Sequence, residues 1–238
     1  MAAKKSDEIS FEELESSIRQ KRFKPLYYFF GEEDYSIDGL TKLIIKNSLD
    51  EGTKSFNLDV IDANSANAKE LVALASSYPM TSDRRVIIVR DVNRFFMSET
   101  NREIMQRYFQ NPSLTTIMVM VGNKPDGRTA VMKTLKENGI FLEFKSLYDN
   151  QIPAWITKHV DDFGKKISGE GAELLAQYVG NSMREIHNEL EKLSIYVANK
   201  STIDEQDVNA LIGVSKVYNV FALQKSIGEK NISKSMII

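Results

Sequence analysis

Between Tyr27 and Ile44 the chain reads YYFFGEEDYSIDGLTKLI, the order of an apolar strand, a glycine turn and the opening of a helix. A phosphate-binding loop occupies such a place when it follows G-x-x-x-x-G-K-[ST]: glycines admit backbone amides, lysine neutralises phosphate and the hydroxyl holds magnesium. Set on Gly31, the pattern puts Ser36, Ile37 and Asp38 in its last three positions. None of them supplies the group required. Glu32, Glu33 and Asp34 add negative charge at a helix N-terminus that would otherwise attract a triphosphate. These acids are read as helix caps and first-turn partners of the helix dipole.

Other catalytic constellations are equally incomplete. In RRVIIVRDV an apolar strand is followed by Arg90 and a lone Asp91, with Val92 where a second carboxylate would serve magnesium and water. Asp91 is therefore read as a strand-end or turn residue. The only imidazoles are His159 and His187, at no metal-binding spacing, and no serine lies in a G-x-S-x-G elbow. With no cysteine, thiolate nucleophiles, disulfides and Cys-ligated metals are excluded, and a reducing cytoplasm is the natural compartment. No catalytic residue, metal site or cofactor is expected. Arg84, Arg85, Arg90, Arg94, Arg102 and Arg107, with Phe95, Phe96, Tyr108 and Phe109 nearby, leave open a nucleic-acid surface, although Asp83, Asp91, Glu99 and Glu103 interleave with them.

The elements that position these residues follow from periodicity. Apolar runs at 26–30, 56–61, 86–89, 115–121 and 140–144 are separated mostly by helical patterns, which predicts an α/β domain with a five-stranded, mainly parallel sheet. Ile37, Leu40 and Ile44 mark one helix. Leu71, Leu74, Ala75 and Tyr78 mark another, running to Pro79, and Ala130 to Lys136 a third, closed by Asn138-Gly139. After Phe144 no strand is predicted. Pro153 suits a first helical turn, and stripes at Ile152, Trp155, Ile156, Val160 and Phe163, at Ala172, Leu175, Ala176 and Val179, and at Met183, Ile186, Leu190, Leu193 and Val197 give a small helical domain. A further pattern at Val217, Val220, Phe221 and Leu223 stops at Met236-Ile237-Ile238, as though a third domain were cut short. The expected division is 1–147, 148–213 and 214–238.

At 238 residues, 42% hydrophobic and 27% charged, the chain is an ordinary globular protein. No apolar run approaches the roughly 20 residues of a membrane-spanning helix, and the N-terminus lacks a secretory apolar region, so no membrane association is expected. A net charge of −2 argues against gripping DNA by bulk electrostatics.

Longer strings narrow the reading. PLYYFFGEEDYSIDG, FNLDVIDANSANAKELVALASSYPMTSDRRVIIVRDV, KPDGRTAVMKTLKENG and GNSMREIHNELEKLSIY together resemble the delta-subunit family of bacterial DNA polymerase III clamp loaders, from about Lys24 to the end. The resemblance implies an AAA+-like P-loop fold that has lost its nucleotide chemistry, then a helical lid and the start of a collar domain at YNVFALQKSIGEKNISKSM. It also implies a non-catalytic subunit of a DNA-directed DNA polymerase (nucleotidyltransferase) holoenzyme, which binds and opens the beta sliding clamp for loading onto primed DNA. The other implied partners are the gamma/tau and delta prime subunits, through the collar, with DNA met indirectly and the replisome as the place of work.

The family's clamp-binding element, a helix and the loop that ends it, falls on Ala68 to Ser77 and on Tyr78, Pro79, Met80 and Thr81, so that Leu71, Leu74 and Ser77 join it. Its apolar plug falls on Pro79 and Met80, or on Tyr78 if the register shifts. On residues alone, Met80 either tucks under its own sheet or is presented on the turn after the proline. Arg184 falls where active AAA+ proteins place a sensor arginine, and is read here as a packing or subunit contact. The family's Ser-Arg-Cys arginine finger cannot exist without cysteine. Two other classes stay in play: an active P-loop ATPase with a non-standard loop, and a DNA-binding module.

Overall fold

The computed structural model describes residues 9–213 together with Gly228. The chain divides into two compact units between Lys145 and Ser146. The pattern at Val217 to Leu223 and the apolar end at Met236 to Ile238 lie outside the described residues.

The first unit opens with α1 (Phe11–Arg19), a helix that sequence periodicity did not mark. Its start is secured by a reciprocal cap, Glu13 N donating to Ser10 Oγ and Ser10 N to the Glu13 carboxylate. Then come β1 (Leu26–Gly31), α2 (Asp34–Ser48), α3 (Lys54–Asn57), β2 (Leu58–Asp62), α4 (Ala68–Ala75) and β3 (Arg85–Arg90). The unit closes with α5 (Val92–Phe95), α6 (Glu99–Gln110), β4 (Thr116–Gly122), α7 (Ala130–Asn138) and β5 (Ile140–Phe144). All five strands pair in parallel in the order β2-β3-β4-β1-β5, as the alternation of strands and helices requires.

Both faces of the sheet are covered, which explains the continuous apolar strands. Leu26, Tyr28 and Phe30 point into one core with Leu71, Phe109 and Leu135 from α4, α6 and α7, while Tyr27 and Phe29 point into the other with Leu14, Ile18, Ile37, Leu40 and Ile44 from α1 and α2.

Three sequence expectations need correction here. The run 56–61 is not a strand from its first residue, because Phe56 and Asn57 finish α3 and β2 begins at Leu58. The helix expected to reach Pro79 stops at Ala75: Ser76 N returns to Val72 O and Ser77 N to Leu74 O, closing the last turn before the proline is reached. The helical unit also contains a short parallel pair, β6 (Lys166–Ile167) with β7 (Thr202–Ile203), each too brief to leave a periodic signature.

That unit holds α8 (Ile152–His159), α9 (Gly169–Val179) and α10 (Met183–Tyr196), with α11 (Glu205–Val208) after β7. The three predicted stripes meet in one core. Ile156, Leu175, Ile186, Leu190 and Leu193 are fully buried there, and Trp155 and Phe163 pack against them. Among the described residues no helix is long and apolar enough to cross a membrane.

The end of α4 is tied to the sheet by a buried hydroxyl: Thr116 Oγ1 donates to Ala75 O at 2.8 Å. Thr116→Val keeps the shape and deletes the donor. It is expected to lower unfolding free energy by about 1–2 kcal/mol, read as a shift of the urea midpoint at constant slope.

Candidate functional site

The loop where phosphate chemistry was sought is occupied by the protein itself. Gly31 adopts φ +137°, and a Cβ there would lie 2.0 Å from Phe144 O, so only glycine lets β5 approach this closely. That carbonyl accepts from Glu32 N at 2.9 Å and Glu33 N at 3.3 Å. The amides a phosphate would need thus already have an acceptor. Glu33 caps α2 by accepting from Tyr35 N at 3.2 Å, and Asp34 sits in the first turn, as the capping reading expected. Ile37, in the lysine position, is buried in the core.

The electrostatics of the neighbouring strand end agree. Arg90 donates to Asp38 Oδ1 at 3.2 Å, which sets a guanidinium beside the position where the loop pattern would put a magnesium-binding hydroxyl. Asp91 follows at φ 57°, a left-handed turn residue at the strand end, and Val92 is buried. Nor are the other candidates assembled into a site. His159 stacks on Trp155 with ring centroids 3.8 Å apart, and the His187 and Phe163 rings lie 5.2 Å apart. Among the described residues no group of three or more His, Asp or Glu could hold a metal ion. Arg184 lies exposed in the first turn of α10.

The arginine stretch is largely engaged with its own fold. Arg84 donates to Leu114 O, the buried Arg85 pairs with Asp59 at 3.5 Å, and Arg102 donates to the carbonyls of Phe96 and Met97 at 2.9 Å each. Arg107 faces Glu103 at 3.9 Å. Backbone carbonyls and carboxylates, rather than a row of open donors, face these side chains.

The turn after α4 has a different character. Leu71 is buried in the unit's own core and Leu74 packs against it, so these two hold the helix down instead of presenting it. Ser77 Oγ donates back to Ala73 O. Beyond it Tyr78 is 86% exposed and Met80 is 56% exposed, Pro79 is half-buried, and Thr81 turns at φ 51°. Met80 does not tuck under the sheet. Its backbone is gripped by Asn57, whose amide nitrogen donates to Met80 O at 2.8 Å while its oxygen accepts from Met80 N at 2.7 Å. Asn57 is fully buried and also donates to Thr53 O at 2.9 Å. Sequence reasoning missed it. The only signal was a polar residue inside the apolar run FNLDVI.

Comparison with known proteins decides the family. The sequence model of the DNA polymerase III delta subunit matches residues 27–145, half of the 238-residue chain. The chain belongs to the DNA polymerase III delta-subunit family. It is 27% identical over 232 residues to the DNA polymerase III subunit delta of Bacillus subtilis, covering 93% of this chain and 66% of that protein. A solved structure of the Bacillus subtilis DNA clamp loader delta protein superposes with a TM-score of 0.74 at 26% identity, over 95% of this chain and 69% of that one. The fold of this delta-family chain is accordingly the α/β arrangement it shares with that clamp loader delta protein, with its five-stranded parallel sheet.

In this delta-family chain the exposed turn depends on Asn57. Asn57→Ala removes three hydrogen bonds from a buried position and should cost about 2–4 kcal/mol of stability in urea unfolding. Hydrogen exchange at the Met80 amide should accelerate at the same time.

Proposed function

We propose that this chain docks on the beta sliding clamp through the Tyr78–Thr81 turn and helps to open the ring for loading onto primed DNA, without hydrolysing ATP itself. One observation carries the reading: two large apolar side chains stand out on a turn whose backbone is held from a buried asparagine. An exposed aromatic and a flexible thioether on a rigid support suit a partner's apolar pocket, since little conformational freedom is lost on binding. A subunit that binds the strained, open ring interface more tightly than the closed one shifts the ring towards opening by that difference. ATP bound elsewhere in the loader would drive the cycle.

The occupied amides at Glu32 and Glu33 and the Arg90–Asp38 pair support a chain that neither uses nor completes a nucleotide site. The gamma/tau and delta prime subunits would be met through a collar beginning near residue 214, and DNA through the assembled complex in the replisome. The proposed division at 1–147, 148–213 and 214–238 is supported at its first boundary by the separation of units at Lys145 and Ser146.

Tyr78→Ala and Met80→Ala should each weaken binding to the cognate clamp by about tenfold, as expected for losing a buried apolar side chain, with melting temperature unchanged. A surface-binding measurement in which both variants match the parent would remove the docking turn. Isothermal titration with ATP and magnesium should give no heat of binding. A dissociation constant in the micromolar range would return the chain to the ATPases.

A further inference from the structure

Parallel strands begin at one end of the sheet, and four exposed apolar side chains collect there. Tyr78 and Met80 belong to the docking turn, Phe56 precedes β2 and is 57% exposed, and Leu114 precedes β4 and is 78% exposed. Named contacts tie them to one surface. Asn57, next to Phe56, holds Met80, and Arg85 donates to Phe56 O at 3.4 Å. Arg84 donates to Leu114 O at 3.2 Å, and its guanidinium lies 5.3 Å from the centre of the Phe23 ring. Through Phe23 this surface continues into the loop between α1 and β1, where Lys21, Arg22 and Lys24 are all exposed. The main opposing charge on the turn is the exposed Asp83. An apolar centre thus stands beside a basic border.

Resting on the docking reading above, we infer that Leu114 and the Lys21–Lys24 loop extend the Tyr78–Met80 turn into one composite surface, and that its occupant is a protein pocket with an acidic rim. On the clamp, Leu114 fills a second apolar depression beside the one entered by the turn, and the basic loop faces carboxylates. The two parts act on different rates. Desolvated apolar contacts slow dissociation, whereas charges at the rim accelerate encounter and lose that effect in salt. Duplex DNA is the less suitable occupant, because its outward phosphates gain nothing from Phe56, Tyr78, Met80 and Leu114, and Arg84 already serves Leu114 O and the Phe23 ring.

The test is a kinetic measurement of this chain on the immobilised cognate clamp at about 50 and about 300 mM salt, where screening separates rim charges from apolar contacts. Leu114→Ser should raise the dissociation rate about tenfold at both salts. The triple reversal K21E/R22E/K24E should lower the association rate about tenfold at low salt and leave it near the parent's at high salt. Both variants should melt with the parent, since these side chains are exposed. If both variants bind like the parent while Tyr78→Ala and Met80→Ala do not, the extension is wrong and the docking turn stands. If the parent itself fails to bind the clamp, the docking reading fails, and the extension with it. If duplex DNA binds the parent, loses affinity on the triple reversal and ignores Leu114→Ser, the loop belongs to nucleic acid and the composite surface is overturned.

Discussion

Every strand of the sheet runs the same way, and this one constraint sorts the chemistry of the first unit by end. Each βα crossover returns the chain to the end where the strands start, so chain entering the strands gathers at one end and chain leaving them at the other. Open α/β sheets place ligands at the leaving end, in the crevice outside the carboxyl termini of the strands. In this protein that end is filled from within: the Phe144 carbonyl accepts from the Glu32 and Glu33 amides, and Arg90 pairs with Asp38. The entering end carries four exposed large apolar side chains, Phe56, Tyr78, Met80 and Leu114. Four of the six exposed large apolar side chains among the first unit's described residues therefore lie opposite the place where a nucleotide would sit.

The replacement at the leaving end follows a simple electrostatic logic. A phosphate loop is a set of unpaired amides at a helix N-terminus, held ready for an anion. Once no anion is bound, those donors need another acceptor, because an unpaired buried amide costs about 1–3 kcal/mol. Here the end of β5 supplies the acceptor, and a residue without a Cβ at Gly31 lets it come close enough. Glu33 meets the helix dipole from the same loop. Arg90 and Asp38 are partly exposed, so their attraction contributes little stability. Its consequence is chemical: a cation is attached to the chain beside the position where the loop pattern calls for a metal ligand.

How legible was this in the sequence? The α/β pattern, the caps on α2 and the missing phosphate ligands could be read directly, because they depend on residue type at short spacing. Ile37, Leu40 and Ile44 recur every three or four residues and are all buried. What could not be read depends on distant partners. The sequence periodicity of α4 runs to Pro79 because Tyr78 continues it, yet the last turn closes at Ser76 and Tyr78 leaves the face. Leu71 and Leu74 lie on the helix that leads to the Tyr78–Thr81 turn, and only tertiary packing shows that they serve the core. α6 was hidden for another reason: its arginines read as a basic stretch, while Met105, Tyr108 and Phe109 form the buried face beneath them.

Asn57 shows why such a residue escapes sequence reasoning and why it matters. One side-chain amide offers a donor and an acceptor together, the same pair a neighbouring strand residue would present. By meeting both backbone groups of Met80 it gives an irregular turn the hydrogen bonding of a ladder without the geometry of one. The two residues are 23 positions apart, beyond any local pattern. An apolar side chain on a mobile loop gives up part of its binding energy in being ordered. Held at its backbone from the fully buried Asn57, Met80 would lose less on meeting the proposed partner, so that a modest thioether could serve where a larger side chain on a looser loop would be needed.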